Sequence, residues 1–139
     1  MHTCTPLEPA QVIDVRWRVL RAGRPRETAI FAGDDHALHH GLLHDGAIIG
    51  VVSLFDNPWE QGGADLRWQL RGMAILPEFQ AHGHGSKLLT AVEDRVSQGL
   101  WCNARIRAVP FYARGGWQPV GEVFDIPAVG PHQRMFKTR

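Results

Sequence analysis

Residues 66–99 constrain the chain most, because the hydrophobic period changes there from that of a strand to that of a helix. Residues 66–76 are a β-prone apolar run, and Pro77 closes it by removing a backbone donor. From Gly85 onward Leu88, Leu89, Val92 and Val96 fall at helical spacing, with Gly99 placed to terminate the helix. Between the two lies Phe79-Gln-Ala-His-Gly-His-Gly-Ser-Lys87, with two glycines, two histidines and a lysine where a strand yields to a helix. A helix start leaves N–H groups without intrahelical partners and carries the positive end of the helix dipole. Glycines allow an anion to reach that backbone, so this loop is a candidate phosphate cradle.

The remaining elements alternate. Residues 6–20 carry Val12, Ile13, Val15, Trp17, Val19 and Leu20 on a broad apolar surface and are expected to form a helix, after a few residues that suit a first strand. Residues 24–36 read as loop. Residues 38–55 read as a hairpin turning at Asp45-Gly46, a dipeptide suited to a tight primed turn. Further on, residues 100–103 suit a strand, 108–114 a short helix, and 117–126 with 133–137 two closing strands. The sum is a mixed sheet with helices on its faces, an α/β (α+β mixed) domain. At 139 residues, 44% of them hydrophobic, the whole chain 1–139 is expected to be one domain with a core of its own.

A formal charge of +1 gives no electrostatic reason for nucleic acid as the main partner. No long apolar span suggests a membrane, and Cys4 and Cys102 make no disulfide framework, so a reducing cytoplasm is expected. His36, His39, His40 and His44 crowd one region, but no cysteine or close carboxylate completes a ligand set, and no metal is expected. The tryptophans read as core, apart from Trp59, whose loop could overhang a pocket.

Three phosphate motifs can be laid on the glycine loop. The P-loop fails because Ser86-Lys87 reverses its last two residues, and the dinucleotide fingerprint fails at Leu88. Gln80-Ala81-His82-Gly83-His84-Gly85 fits [QR]-x-x-G-x-[GA], and in this it resembles the coenzyme A pyrophosphate loop of the GNAT superfamily of acyl-CoA-dependent N-acetyltransferases. A second motif agrees: Ala108, Phe111-Tyr112 and Gly116-Trp117 follow in the order seen in that superfamily. The likeness extends over nearly the whole chain.

The resemblance implies a central mixed, mostly antiparallel sheet of six to seven strands flanked by about four helices. It implies transfer of an acetyl group from acetyl-CoA to a primary amine of a small molecule or peptide by direct attack. The pyrophosphate is expected on the N–H groups of Ala81, His82, Gly83, His84, Gly85 and Ser86, beside Gln80, with Lys87 or a histidine adding charge. Met73, Ala74 and Ile75 are expected to run beside the pantetheine arm and to offer an N–H to the thioester carbonyl, and Tyr112 to act as general acid. The resemblance does not carry a general base: Glu60, Asp65, Glu78 and His40 are conceivable. Arg105 stands where relatives commonly have a cofactor-contacting Asn, and Asn103 lies two residues away. A homodimer paired through a sheet edge, and a non-catalytic acyl-CoA-binding or partner-binding domain on the same fold, remain open as alternatives.

Overall fold

A computed structural model describes every residue of the chain except Ala64. Seven strands form one sheet in the order β1-β2-β3-β4-β5-β7-β6. They are β1 (His2–Leu7), β2 (Leu38–His44), β3 (Ala47–Asp56), β4 (Leu66–Ile75), β5 (Gly99–Arg105), β6 (Gln118–Ile126) and β7 (Gly130–Lys137). β1 with β2, β2 with β3, β5 with β7 and β6 with β7 pair antiparallel, whereas β4 and β5 are parallel, in the register Leu66 to Gly99 and Gln69 to Trp101. Three α-helices lie among the described residues, α1 (Ile13–Leu20), α2 (His84–Glu93) and α3 (Val109–Arg114), together with short 3₁₀ turns. None of these helices is long and apolar enough to cross a membrane. The mixed, mostly antiparallel sheet is the architecture expected from the sequence.

The chain divides into two compact units, one of residues 1–55 and 70–95, the other of residues 56–69 and 96–139. In the first, α2 buries Leu88, Leu89 and Val92, and α1 with the turn before it buries Val12, Ile13 and Val15. Each side chain so removed from water contributes about 1.5–3 kcal/mol. The strands add Leu42, Val51, Val52, Leu54, Leu70 and Ala74. The second unit is built around Leu66, Leu100, Trp101, Tyr112, Trp117 and Met135.

Local departures from the sequence reading have tertiary causes. Pro6, expected to open a helix, lies in β1, where an edge strand tolerates its missing donor, and the α-helix starts only at Ile13 after a 3₁₀ turn over Pro9–Val12. The segment 24–36 is not plain loop: 3₁₀ turns occupy Arg26–Ala29 and Asp34–His36. α2 ends at Glu93, and Gly99 opens β5 instead of terminating the helix, its N–H held by the Asp65 carbonyl at 2.7 Å. The hairpin turn is as expected, with φ of 50° at Asp45 and 85° at Gly46.

Candidate active site

The glycine loop leaves β4 through a 3₁₀ turn, Pro77–Phe79, and enters α2 at His84. Ala81 and Gly83 are both left-handed, at φ 66° and 82°, and Gly83 is the residue just before the helix. A left-handed residue followed by a right-handed one points successive N–H groups into a common concavity, the geometry of an anion-binding nest. The space beside Gly83 is open, with no atom within 4 Å of where a Cβ would stand. The first N–H of the helix to reach a backbone acceptor in the turn is that of Lys87, 3.3 Å from the Gly83 carbonyl. Among the described residues, no N–H from Ala81 to Ser86 is donated to a group outside this loop and α2. The donor set therefore fits a phosphate.

Gln80 does not stand free beside the loop. Its Nε2 donates to the Ile75 carbonyl at 2.8 Å, tying the loop back to the end of β4. Around the helix start gather four imidazoles: His2 stacks on His44 and His84 at centroid distances of 4.6 and 4.3 Å, and His82 lies 6.0 Å from His84. Lys87 Nζ reaches the His2 carbonyl at 3.4 Å. Desolvation, then the charges of His84 and His44, lower the pKa of His2.

β4 itself is interrupted at Gly72, whose φ of 68° is left-handed. A Cβ there would stand 2.9 Å from Arg16 Nε and 3.2 Å from the Phe31 ring, so glycine is required on both counts. Arg16 belongs to a buried network that sequence reasoning missed. Its guanidinium donates to both Asp34 oxygens, at 2.8 and 3.0 Å, to the Ala29 carbonyl at 3.0 Å and to Ser53 Oγ at 2.9 Å. Ser53 Oγ is 2.6 Å from His39 Nδ1, and His39 Nε2 is 2.8 Å from the Asp34 carbonyl. Since a carbonyl only accepts, Nε2 carries a proton. Burial alone would raise the Asp34 carboxyl, but the hydrogen bonds from Arg16 and the Phe31 N–H, with the charges of Arg16 and His39, outweigh it and leave it below the usual range. The only hint of this network in the sequence is that Arg16 extends the helical spacing of Val12, Ile13 and Val15.

In the second unit, Tyr112 is buried on α3, its ring 5.1 Å from Phe111 and 5.3 Å from Trp117. Burial, and next the neighbouring Cys102, push its phenol well above the ordinary value, while burial pushes the Cys102 thiol up to about 12. Asn103 accepts from Arg134 Nε at 3.0 Å. The Arg134 guanidinium lies 4.8 Å from the Trp59 ring and 4.7 Å from that of Trp101, so Trp59 is held on a cation.

The conceivable bases fare unevenly. His40 is buried, with its pKa lowered by desolvation and then by Arg95, whose guanidinium is 3.5 Å from Nδ1. Glu78 pairs with Arg18 at 3.8 Å, and Glu60 and Asp65 are exposed.

Residues 9–117 match the sequence pattern of the Acetyltransferase (GNAT) family. The chain is 34% identical over 132 residues to the uncharacterized N-acetyltransferase YitI of Bacillus subtilis (strain 168), covering 90% of this chain and 88% of that one. Its fold is also similar to that of an acyl-CoA N-acyltransferase from Pseudomonas aeruginosa, with a TM-score of 0.78, 15% identity, and 99% and 100% of the two chains covered. An aminoglycoside 6'-N-acetyltransferase complexed with coenzyme A superposes with a TM-score of 0.77 at 12% identity, over 98% of this chain and 96% of that one.

Proposed function

Because the chain belongs to the acetyltransferase (GNAT) family, we propose that this N-acetyltransferase moves an acetyl group from acetyl-CoA to a primary amine of a small molecule or peptide in the cytoplasm. The observation that carries the reading is the nest at Ala81 to Ser86, whose N–H groups are donated to nothing outside the loop and its helix among the described residues. A diphosphate placed there meets several amides and the positive end of α2, and Lys87 supplies a full charge nearby. The likeness to a structure holding coenzyme A supports the same ligand class.

In this reading the loop anchors the cofactor and Gln80 fixes that anchor to β4 through the Ile75 carbonyl. An N–H of the Met73, Ala74, Ile75 segment stabilises the oxygen that gains charge when the amine nitrogen attacks the thioester carbon. As the C–N bond forms and the C–S bond breaks, the amine loses a proton and the departing sulfur gains one. Tyr112, held neutral by burial, is the donor assigned to that sulfur. His40 and Glu78 are already engaged with Arg95 and Arg18, and the chain's part in removing the amine proton is assigned to no side chain.

Calorimetric titration with acetyl-CoA, followed by a thiol-release screen over amines, tests the proposal. Binding with turnover is the expected result. The absence of any acetyl-CoA heat sinks it, and binding without turnover on any amine favours a non-catalytic acyl-CoA-binding domain.

A further inference from the structure

Arg71 sits in the middle of β4. Its guanidinium lies 4.6 Å from the centroid of Phe31 and 5.2 Å from that of Phe55. It is half-buried, yet among the described residues it makes no hydrogen bond and no ion pair. The nearby Asp34 carboxylate is turned to other donors: both its oxygens accept from Arg16, and one of them also from the Phe31 N–H at 2.8 Å, so it acts on Arg71 only through its charge. Arg16 lies 4.0 Å and Arg21 5.4 Å from the centroid of the same Phe31 ring, so three guanidiniums gather on one aromatic ring. Burial, and then the charge of Arg16, lower the pKa of Arg71, with Asp34 opposing them.

A guanidinium removed from much of its water and given no anion is in an unfavourable state that an incoming anion relieves. Its planar fork matches a carboxylate through two parallel hydrogen bonds, and the two aromatic rings hold its plane. Its place on the strand also matters. Arg71 precedes Met73 by two residues on β4, with the left-handed Gly72 between them. A small molecule whose amine meets the Met73, Ala74, Ile75 segment would have its other end directed toward Arg71. A polycationic acceptor, such as a polyamine, would bring further positive charge to a region where three guanidiniums already gather on one ring.

Resting on the acyl-transfer reading above, we propose that Arg71 receives the carboxylate of the acceptor, and that the acceptor class is the free amino carboxylates, α-amino acids being the simplest. Phe31 and Phe55 position the guanidinium, and the Asp34 carboxylate is held in its pair with Arg16.

The test compares each acid with its own amide. Thiol release is measured with glycine, β-alanine, L-alanine, L-methionine and L-phenylalanine, and with the carboxamide of each, for the wild type, Arg71→Met and Arg71→Lys. For the best acid the wild type is expected to favour the acid at least tenfold in kcat/KM, Arg71→Met to bring that ratio near one, and Arg71→Lys to keep part of it. The ratio is the readout, because damaged folding or cofactor binding lowers acid and amide alike. In parallel, N-acetyl-L-methionine and its carboxamide are titrated calorimetrically, and only the acid is expected to lose affinity in Arg71→Met. An acid-to-amide ratio near one in the wild type, or a ratio that survives Arg71→Met, overturns the assignment while acetyl-CoA binding leaves acyl transfer standing. Loss of acetyl-CoA binding in the wild type overturns acyl transfer itself and the acceptor class with it.

Discussion

The side-chain amide of Gln80 hydrogen-bonds the carbonyl of Ile75 at 2.8 Å, so the residue that opens the glycine loop is fastened to the last residue of β4. This bond couples the anion cradle to the strand proposed to hold the thioester. Gln80 is exposed, and the bond is worth about 1 kcal/mol. Gln80→Ala is expected to lower stability by about that amount in urea titration and to weaken acetyl-CoA binding more than stability. Gln80→Glu turns an anion toward a carbonyl oxygen, so it is expected to be worse than alanine at pH 7 and to recover as pH falls below about 4.3, the ordinary glutamate pKa. Equal stability of the two variants at pH 7 would contradict the geometry.

Gly83 and Ala81 make opposite predictions from the same left-handed backbone. A Cβ at Gly83 meets nothing within 4 Å, so any penalty in Gly83→Ala comes from φ of 82° alone. That penalty is about 1–2 kcal/mol. Ala81 already bears such strain at φ 66°, and Ala81→Gly relieves it at a cost of about 0.4–1 kcal/mol of unfolded-chain entropy, for a small net gain. Denaturant midpoints should therefore fall for Gly83→Ala and rise slightly for Ala81→Gly. Acetyl-CoA affinity should fall with the former, since rotating Gly83 turns its neighbour's N–H out of the nest.

What could be read from the chain beforehand divides along sequence separation. The Asp45-Gly46 turn, the apolar stripe of α2 and the glycine loop are local patterns, each decided by a few adjacent residues, and each stands where the residues place it. The Arg16–Asp34–Ser53–His39 network joins positions up to 37 apart, and no local period announces that a helix arginine will be fully buried. The end of α2 departs from the local pattern for a similar reason: Gly99 reads as a helix stop by type, whereas its N–H is claimed by Asp65, 34 positions earlier. The fold class survived these errors because it depends on the order of elements and not on their ends. The glycine in the middle of β4 could have been flagged as a bulge by its position in an otherwise regular strand pattern, which is the signal that Gly72 carries.

Asp34 makes the stability of the first unit depend on acid. Its folded carboxyl lies below the ordinary 3.8, so its contribution is fully present above that value and is lost as pH falls through the lower, folded value. Asp34→Asn leaves the Arg16 cation buried without its counter-ion, a cost of about 3–5 kcal/mol. Urea midpoints measured from pH 7 to pH 2 should show a wide gap between wild type and variant at neutral pH that narrows only below pH 3.8. A gap that stays constant across this range would mean that the ion pair is not what holds Asp34 in place.

Tyr112 gives the sharpest kinetic expectation. Its phenol is pushed well above 10.0, so it is protonated throughout the working range and any alkaline loss of rate below pH 10 must come from another group. The same burial makes it a weaker acid than a free thiol of pKa about 8.5, so full proton transfer to a thiolate is uphill and its aid is greatest while the C–S bond is still breaking. Tyr112→Phe keeps the ring against Trp117 and removes only the hydroxyl. Thiol release at saturating acetyl-CoA is expected to slow by about a hundredfold, near the lower end of what a positioned proton donor contributes. Calorimetry on the same variant should return the wild-type cofactor affinity, and a rate within threefold of wild type would remove Tyr112 from the chemistry.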